Sequence, residues 1–596
     1  MSLLALATCL AAPAKAQSAP TTSAPGTPVP PVAVQPPSAP PATLPPPKPK
    51  AAVVRTPSKP KPPPVPVEPA TAPATPPPAP EPATALGTYN PALDVPGLVL
   101  PPGTTLTTAG PVDGYRALSA TSSTKTATPI ERIPQSIQVV PRSVIEDQKP
   151  LGVEEALRNV SGVQATSALL TPTQDATTIR GFAAEQWLDG LVVYYNAGDR
   201  DSSANVERIE VLKGPAAILY GGGAGAPVGG AVNVVSKLPT DKAGGEIGFT
   251  FGSNSYLQPY FDVNQPLNAD KTILFRVTGE YTSAESFIDV LETERYSFNP
   301  TLTFTNKSDT TITIQGRLNR WEQQEYQGLP ATGTVAGDFR INRDLFIGPA
   351  DVPKSYSEVQ GLTITFDHRV NKNLDVGAKA RWSHSEFGEY VQTLVGADSF
   401  AANRPLFPPS TWLLSNAFLF QEQDEFTVNP YARLKFDAGP TSNVVVVGGD
   451  YSRLTDKGIL TADTVLGGVG VVDLTNPSFP FPYVQPGDTP FTTFQKPSNT
   501  YETSGLYVQL QTSMYDRLHI LAGVRLANIS IDTQDPVLGL DVQSDTTRVL
   551  PRIGGVLDVI PGVSVYASYS EGLKANPFTI FLGPPEPKSR CKRKPA

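Results

Sequence analysis

The sequence predicts a mostly β protein: a transmembrane antiparallel β-barrel of about thirteen strands, preceded by a small mixed α/β domain and a proline-rich extension. From Gly245 onward, long segments alternate polar and apolar residues with a period of two, as strands with two different faces do. The connections between these segments are alternately short and long. No apolar run reaches the roughly 18 residues of a spanning helix, so membrane insertion must use strands.

The N-terminal region is predicted to lack a packed fold. Residues 1–16 have the features of a clipped signal peptide, with an apolar segment Leu3–Ala12 and an A-x-A-like site at Ala14–Ala16. Residues 17–98 form a linker in which proline is frequent. Because proline has a fixed φ and no N–H group, we expect this linker to be disordered and extended.

A polar connector follows at residues 99–126. It contains a proline-free segment of β-compatible residues that can offer its backbone edge to another strand. This candidate pairing segment consists of Tyr115, Arg116, Ala117, Leu118, Ser119, Ala120 and Thr121.

Residues 127–238 are predicted to form the mixed α/β domain. Its strands include Ser136–Pro141 and Val206–Lys213, and its helices include Ser143–Asn159 and Ala216–Tyr220. Gly162 suits a backbone position with positive φ. The glycine-rich run at residues 221–230 has neither of the spacings that bind nucleotides, so we interpret it as a site of close backbone packing.

Residues 239–578 are predicted to form the partial barrel, and three rows illustrate its pattern. Ile273, Phe275, Val277 and Tyr281 alternate with polar residues, and the segments around Ile312 and Leu518 repeat this alternation. An apolar face suits lipid and a polar face suits a hydrated lumen.

The connections sort into two classes, one for each rim of the barrel. The short connections are expected near Pro266–Lys271, Asn306–Asp309, Val370–Asn373, Asp437–Asn443, Tyr515–Arg517 and Ile560–Gly562. Beyond a short first connection near Ser253–Ser255, the long ones are expected at Ala284–Glu292, Gln323–Lys354, Gly388–Asp424, Thr455–Asn499 and Thr533–Asp545.

The C-terminal region departs from this pattern. Residues 579–596 form a basic, proline-rich tail that cannot supply a closing strand. We interpret the tail as aberrant and the barrel as incomplete, which predicts an open sheet.

Composition narrows the possible functions. The net charge is −8, which argues against nucleic acid as a partner. Cys9 and Cys591 lie at opposite ends, and the three histidines, His368, His384 and His519, are scattered. No nucleophile–base pair, paired-carboxylate motif or metal-ligand cluster is evident, so we predict no enzyme activity, no cofactor and no bound metal.

Several motifs, which follow one another between residues 179 and 239, resemble those of a known protein family. They are Ile179–Phe182 (IRGF), Asp189–Leu191 (DGL), Glu207–Pro215 (ERIEVLKGP), Leu219–Gly221 (LYG) and Gly229–Pro239 (GGAVNVVSKLP). The chain resembles TonB-dependent outer-membrane receptors of the ferric-siderophore branch, apparently truncated at the C-terminus. The resemblance implies that residues 127–238 are a plug inside the barrel. It also implies import of a ferric siderophore across the outer membrane, coupled to TonB and its inner-membrane energising complex.

The resemblance also implies roles for particular residues. Tyr115–Thr121 would be the TonB box, with the plug and the N-terminal extension in the periplasm. The aromatic residues Trp187, Tyr194 and Tyr195, which flank a turn expected at the apex of the plug, would bind the ligand. Ion pairs that lock the plug to the wall are expected from Arg180, Glu207, Arg208 and Glu210. The plug motif and gating residues are Arg180, Gly181, Phe182, Glu207, Arg208, Glu210, Lys213, Gly214 and Pro215.

Two alternatives stay open from the sequence. The ligand of such a receptor could be cobalamin, heme or a saccharide in place of a siderophore. A truncated gene product without transport activity is the second alternative, and the tail at residues 579–596 supports it.

Overall fold

The protein is described from a computed structural model. The structure describes residues 114–117, 119–126, 128–150, 152–165, 177–193, 202–214, 219, 229–326, 328–395, 410–463, 469–487, 493–560 and 562–574. None of the helices in these ranges is long and apolar enough to cross a bilayer. The predicted signal peptide, proline-rich linker and basic tail lie outside the described residues.

The first part of the described chain is a small mixed domain. Its strands are β1 (Ser119–Ala120), β2 (Thr128–Pro129), β3 (Ser136–Pro141), β4 (Val163–Gln164), β5 (Thr178–Ile179), β6 (Phe182–Ala183), β7 (Glu185–Leu188), β8 (Leu191–Val192), β9 (Val206–Lys213) and β10 (Gly230–Ser236). Its helices are α1 (Arg142–Gln148) and α2 (Val153–Ala156), with 3-10 turns at Ile130–Arg132, Leu157–Asn159 and Ser203–Asn205.

A five-stranded sheet in the order β3-β9-β10-β7-β8 forms the centre of this domain. β10 pairs with β7 in parallel and with β9 in antiparallel orientation. Apolar residues of β9 and β10 pack against both helices, with Ile209 and Val232 fully buried. Burial of their aliphatic side chains is the main source of stability here. The predicted strands Ser136–Pro141 and Val206–Lys213 are confirmed with the same bounds.

The predicted helix Ser143–Asn159 is wrong as a single element. α1 ends at Gln148, and Lys149 adopts the left-handed conformation with φ 44° and ψ 55°. The next residue is Pro150, whose ring disfavours the right-handed helical conformation at Lys149. The chain therefore turns before α2 begins. The predicted helix Ala216–Tyr220 lies outside the described residues except for Leu219.

The second part of the described chain is one large antiparallel sheet, here called the wall. Its strands are β11 (Gly244–Phe251), β12 (Leu257–Pro266), β13 (Ile273–Glu285), β14 (Glu292–Thr305), β15 (Thr310–Gln323), β16 (Ser355–Asn371), β17 (Leu374–Val395), β18 (Thr411–Ala438), β19 (Thr441–Ala462), β20 (Gly470–Asp473), β21 (Thr493–Gln495), β22 (Ser498–Met514), β23 (Leu518–Asp535), β24 (Leu540–Ile560) and β25 (Val563–Ser570).

Neighbours in sequence are neighbours in the wall. Thirteen strands run in the order β11 to β19 and then β22 to β25, while β20 pairs with β18 and β21 with β19. Within the described residues β11 and β25 do not pair with each other, so the wall is an open sheet. The predicted count of about thirteen strands is confirmed.

The two faces of the wall differ in polarity. The inner face, which contacts the small domain, buries polar residues such as Thr278, Glu280 and Arg525. The outer face exposes large apolar residues, among them Phe298, Leu318, Leu362, Trp382, Phe426, Leu506 and Leu526. An apolar outer face of this extent suits a hydrocarbon environment.

The two classes of connection are present, but several strands extend beyond the predicted ends. The predicted loop Gly388–Asp424 is wrong for most of its length, since β17 continues to Val395 and β18 begins at Thr411. Similarly, β23 and β24 approach each other across residues 536–539. Backbone pairing does not depend on side-chain polarity, so strands can continue after the two-faced pattern has ended.

The small domain packs on the inner face of the wall through an apolar contact. Trp187, Val192 and Leu212 of the small domain cluster with Val444, Val446 and Tyr507 of the wall. Polar contacts surround this cluster, and they position the candidate site.

Candidate functional site

The predicted pairing segment, Tyr115–Thr121, is described except for Leu118. The Tyr115 hydroxyl donates a hydrogen bond to the Asp147 carboxylate on α1. Ser119 and Ala120 form β1 and pair with Pro129 and Thr128 of β2. Ala120 is buried, with 1% of its surface exposed. The segment is therefore joined to the small domain at both of its ends.

A single carboxylate holds the C-terminal end of this segment. Oε2 of Glu210, on β9, accepts hydrogen bonds from the amide nitrogens of Thr121 at 3.1 Å and Ser122 at 3.0 Å. It also accepts one from the Ser122 hydroxyl at 2.5 Å. The other oxygen, Oε1, pairs with Nε of Arg208 at 2.8 Å. Thr121, Ser122, Glu210 and Arg208 are together called the latch.

The electrostatics of the latch favour the charged carboxylate. Burial alone would raise the pKa of Glu210, which is fully buried. The Arg208 guanidinium and the hydrogen bonds from Ser122 outweigh burial and hold the pKa below its ordinary value. Hydrogen bonds to an ionised acceptor are stronger than neutral ones, so the latch concentrates strong bonds on one side chain.

The residues that follow the latch are bound to the wall. Arg552, on β24, donates to the Ser123 carbonyl and to the Ser123 hydroxyl, each at 2.9 Å. Gln509, on β22, donates to the Thr124 carbonyl at 3.2 Å. Gln511 donates to the Thr126 hydroxyl and accepts from the Thr128 hydroxyl, each at 3.0 Å. Residues 123–128 are called the wall-bound stretch.

Lys125 forms the centre of the wall-bound stretch. Its ammonium donates to Asn429 Oδ1 at 2.6 Å and to the Tyr507 hydroxyl at 2.8 Å. It also lies 4.8 Å from the centroid of the Tyr507 ring and 5.7 Å from that of Tyr431, within the range of cation–π attraction. Burial lowers the pKa of Lys125 well below its ordinary value, and the nearby Arg525 and Arg433 act in the same direction.

The turn at Asp189 and Gly190, expected at an open apex, lies against the wall. Asp189 accepts hydrogen bonds from the Ser236 amide and hydroxyl at 2.8 Å, and from Gln315 Nε2 at 3.1 Å. Lys379 donates to the Asp189 carbonyl. Gln315 and Lys379 are each the sixth residue of their strand, counted from a short connection. The turn therefore contacts β15 and β17 near their ends at short connections, and its apical placement stays a prediction.

Of the three predicted ligand-binding residues, the structure describes only Trp187. Trp187 is 1% exposed and packs in the apolar contact between the small domain and the wall. This position makes it a packing residue in the structure, and its predicted contact with a ligand stays untested. Tyr194 and Tyr195 lie outside the described residues, so their role also stays a prediction.

The motif Arg180-Gly181-Phe182 forms the turn of the β5–β6 hairpin. Arg180 and Gly181 have φ values of 54° and 82°, and Ile179 pairs with Phe182 across the turn. A two-residue turn with both φ values positive matches the twist of a hairpin. Arg180 and Phe182 are exposed, and no ion pair between Arg180 and the wall occurs among the described residues.

Lys213 and Gly214 have local roles in the small domain. Lys213 donates to the Ser161 carbonyl at 2.6 Å and the Ser161 hydroxyl at 2.9 Å. Burial and the nearby Arg180 guanidinium lower its pKa. Gly214 has φ 98°, and its amide donates to the Gly229 carbonyl at 2.9 Å. Pro215 lies outside the described residues.

The ion pairs described between the small domain and the wall involve residues other than those predicted to lock the two together. Arg208 and Glu210 pair with each other in the latch, while Glu207 is buried and burial raises its pKa despite the nearby wall residue Arg276. Among the described residues, the ion pairs of the small domain with the rest of the chain include Lys237 with Asp262 of β12 at 2.7 Å, and Glu185 with Lys574, which follows β25, at 3.2 Å. Sequence reasoning missed both, although Lys237 belongs to the GGAVNVVSKLP motif.

Two further features concern ligands. A cavity of about 30 Å³ lies between the small domain and the wall, lined by Asp189, Gln315 and Arg381 among others. It has room for one or two water molecules. Within the described residues, His384, Glu422 and Asp424 could place their ligand atoms around one ion, and His384 Nδ1 lies 2.9 Å from Asp424 Oδ1. This group occurs where β17 and β18 face away from the small domain.

Two curated relatives align with most of this chain. It is 28% identical over 490 residues to the ferrichrome outer membrane transporter/phage receptor of Escherichia coli K12, covering 78% of this chain and 64% of the relative. It is 27% identical to the ferrioxamine B receptor of Salmonella typhimurium, with 76% and 63% covered. The chain thus spans less than two thirds of the length of these relatives.

Solved structures share the fold. The ferric preacinetobactin receptor BauA of Acinetobacter baumannii matches with a TM-score of 0.66 at 18% identity, covering 77% of this chain and 67% of that chain. The ferric-catecholate import receptor Fiu of E. coli K12 matches with a TM-score of 0.65 at 19% identity, with the same two shares covered.

Two family models match the two parts of the chain described above. The TonB-dependent receptor plug domain matches residues 129–228, and the TonB-dependent receptor-like β-barrel matches residues 235–587. Together they cover most of the chain, and the interval between them, residues 229–234, lies mostly within β10, the last strand before the wall. The chain belongs to the TonB-dependent receptors, a family of outer-membrane β-barrel receptors with a plug domain.

Proposed function

We propose that this protein is a receptor that imports a ferric siderophore across the outer membrane, with energy supplied through TonB. The observation that carries the proposal is the attachment of residues 115–117 and 119–122 to the plug by few contacts. These contacts are the Tyr115 hydrogen bond to Asp147, the short β1–β2 pairing and the hydrogen bonds to Glu210. An extended segment that is held by few side chains can exchange its partners for a strand of another protein. The plug and the N-terminal extension would then lie in the periplasm.

The ligand class follows from the relatives. The names of the curated relatives given above are those of ferrichrome and ferrioxamine B receptors, and the solved structures are ferric-siderophore receptors. The function needs no catalytic step and no resident cofactor, because the iron chelate is the cargo. Tyr194 and Tyr195 remain the proposed aromatic contacts with its organic shell.

The binding half of the proposal is tested with ferric ferrichrome and ferric ferrioxamine B as probes. The full chain in outer-membrane vesicles should bind one of these radiolabelled complexes saturably. Tyr194→Ala and Tyr195→Ala should weaken binding, while the exposed Tyr566→Phe on β25 serves as a control for a change at a distant tyrosine. Absence of saturable binding to either complex would contradict the assignment to these ligands.

The coupling half is tested in the predicted TonB box. Leu118→Pro should abolish energy-dependent uptake and leave binding intact, because proline removes a backbone donor and disfavours strand pairing. Leu118→Val is the matched control, since valine keeps the donor and favours extended backbone. Normal uptake by the proline variant would contradict the assignment of residues 115–121 to TonB.

A further inference from the structure

Asn233, on β10, joins two parts of the plug that are distant in sequence. Its Oδ1 accepts a hydrogen bond from the Gly190 amide at 2.9 Å. Its Nδ2 donates to the Ser122 hydroxyl at 2.8 Å. The side chain is buried, with the residue 2% exposed. Since the acceptor end and the donor end of the amide are both engaged, its orientation is fixed by Gly190 and Ser122 together.

On the side of Gly190, the contacts of Asn233 lead to the wall. Gly190 follows Asp189, whose carboxylate accepts from Gln315 and whose carbonyl accepts from Lys379. Gln315 belongs to β15 and Lys379 to β17. The position of the turn at residues 189–190 is therefore set by two wall strands.

On the side of Ser122, the contacts lead to the latch. The Ser122 hydroxyl accepts from Asn233 and donates to Glu210 at 2.5 Å. Glu210 also holds the amides of Thr121 and Ser122. A path of hydrogen bonds, joined by the Asp189–Gly190 peptide bond, thus runs from β15 and β17 through Asn233 to Ser122, next to the end of the proposed TonB box.

We propose that Asn233 is the positioning residue that makes release of residues 119–122 depend on where the turn at residues 189–190 sits against β15 and β17. The inference rests on the proposed function, in which this segment engages TonB. When the turn moves relative to the wall, the Asn233 amide loses its bond to Gly190 and its orientation is no longer fixed. Ser122 then loses a donor, and a buried polar network that is only partly satisfied is strongly disfavoured.

The test measures exposure of the segment without any siderophore. The full chain, with Cys9 and Cys591 replaced by serine, carries Ala120→Cys as a buried reporter, and the rate of maleimide labelling is recorded in outer-membrane vesicles. Asn233→Ala should raise this rate about tenfold, because one buried hydrogen-bond path is lost. Asn233→Asp, which keeps the acceptor for Gly190 and loses the donor to Ser122, should also raise it.

Asn205→Ala is the matched control. Asn205 is a buried asparagine of the same domain, and its Oδ1 accepts a hydrogen bond from Thr278 of the wall at 3.0 Å. Its loss weakens packing of the plug on the wall but does not touch Ser122. Equal labelling rates in Asn233→Ala and Asn205→Ala would overturn the proposal, since general loosening of the plug would then explain both.

A double-mutant comparison tests the connection to the wall. Lys379→Met should speed labelling at position 120 when Asn233 is present, and should add nothing in the Asn233→Ala background. An equal acceleration in both backgrounds would show that the wall acts on the segment by another route, and would overturn the proposal. Binding and uptake of ferric siderophore are measured separately, so failure of the transport function leaves the labelling result interpretable.

Discussion

Residues 119–122 and the wall-bound stretch at residues 123–128 are adjacent in sequence but are held in different ways. The first group is bound to the plug, where Glu210 accepts three hydrogen bonds from Thr121 and Ser122 and the two residues of β1 pair with β2. The second is bound to the wall by side chains of three strands, including Asn429, Gln509 and Arg552. Hydrogen bonds that converge on one side chain can be lost together when that side chain moves. Hydrogen bonds to several side chains on different strands are lost one at a time.

Because of this difference, we expect the two groups to respond differently when the N-terminal segment is pulled. In the proposed function, a pull by TonB on residues 115–121 would reach residues 119–122 first, because they precede the wall-bound stretch in the chain. We expect the latch to open while Lys125 and its neighbours still hold the chain to the wall. The boundary between Ser122 and Ser123 would then limit how far the segment unravels at low force.

The largest effect is expected when the latch loses its carboxylate. Glu210→Ala removes the carboxylate that pairs with Nε of the buried Arg208, and removal of one member of a buried ion pair costs about 3–5 kcal/mol. Labelling at Ala120→Cys should become fast and the melting temperature should fall. Glu207→Ala, at a neighbouring buried carboxylate of the same strand, should leave the label protected. A protected label in Glu210→Ala would contradict the role of the latch.

The next largest effect is expected at the wall. Lys125→Met removes two hydrogen bonds and the contacts with Tyr507 and Tyr431, at a cost of about 1–3 kcal/mol. Labelling at Thr124→Cys should accelerate, while labelling at Ala120→Cys should change little. Lys242→Met, at an exposed lysine, is the control. Equal acceleration at both reporters would show that the two groups are released together.

A smaller effect is expected from a single wall amide. Gln509→Leu removes one hydrogen bond to the Thr124 carbonyl, and a typical neutral hydrogen bond contributes about 0.5–1.5 kcal/mol. The rate at Thr124→Cys should rise less than in Lys125→Met. Gln360→Leu, on the exposed side of β16, provides the comparison for loss of a wall glutamine. A rise as large as that of Lys125→Met would mean that the wall attachment is not distributed.

The smallest effect is expected from acid. The pKa of Glu210 is lowered in the folded protein, so the latch contributes its full stability above the ordinary carboxyl pKa of 4.5 and loses it as the pH falls through the lower folded value. A spin label at Ala120→Cys should gain mobility across that acidic range, and Glu210→Gln should abolish the transition. A transition that persists in Glu210→Gln would have to come from another group.

The fold was predictable where side-chain pattern and backbone pairing agree. β3 and β9 have the bounds that their alternation and flanking residues predict. The strand ends near the long connections were not predictable, because residues such as Gln421, Gln423 and Asp424 lack a two-faced pattern although their backbone remains paired.

The candidate site was predictable only in part. The proposed TonB box and the ERIEVLKGP motif could be located in the sequence, but their mutual contact through Glu210 joins residues about ninety positions apart. Lys125 and its wall partners are separated by hundreds of residues, which local patterns do not register. Asn233 could have been predicted to form buried hydrogen bonds, since it is a polar residue in the middle of the mostly apolar strand Gly230–Ser236.

The cavity of about 30 Å³ between Asp189, Gln315 and Arg381 has a consequence for permeability. A space that admits one or two water molecules cannot hold a larger solute unless the side chains that line it move. Its lining is charged and hydrogen-bonded, so a solute would also have to replace those bonds in order to enter. Entry of any larger solute into this cavity should therefore depend on how often the plug rearranges against strands β15 to β17, and not on the volume of the cavity at rest.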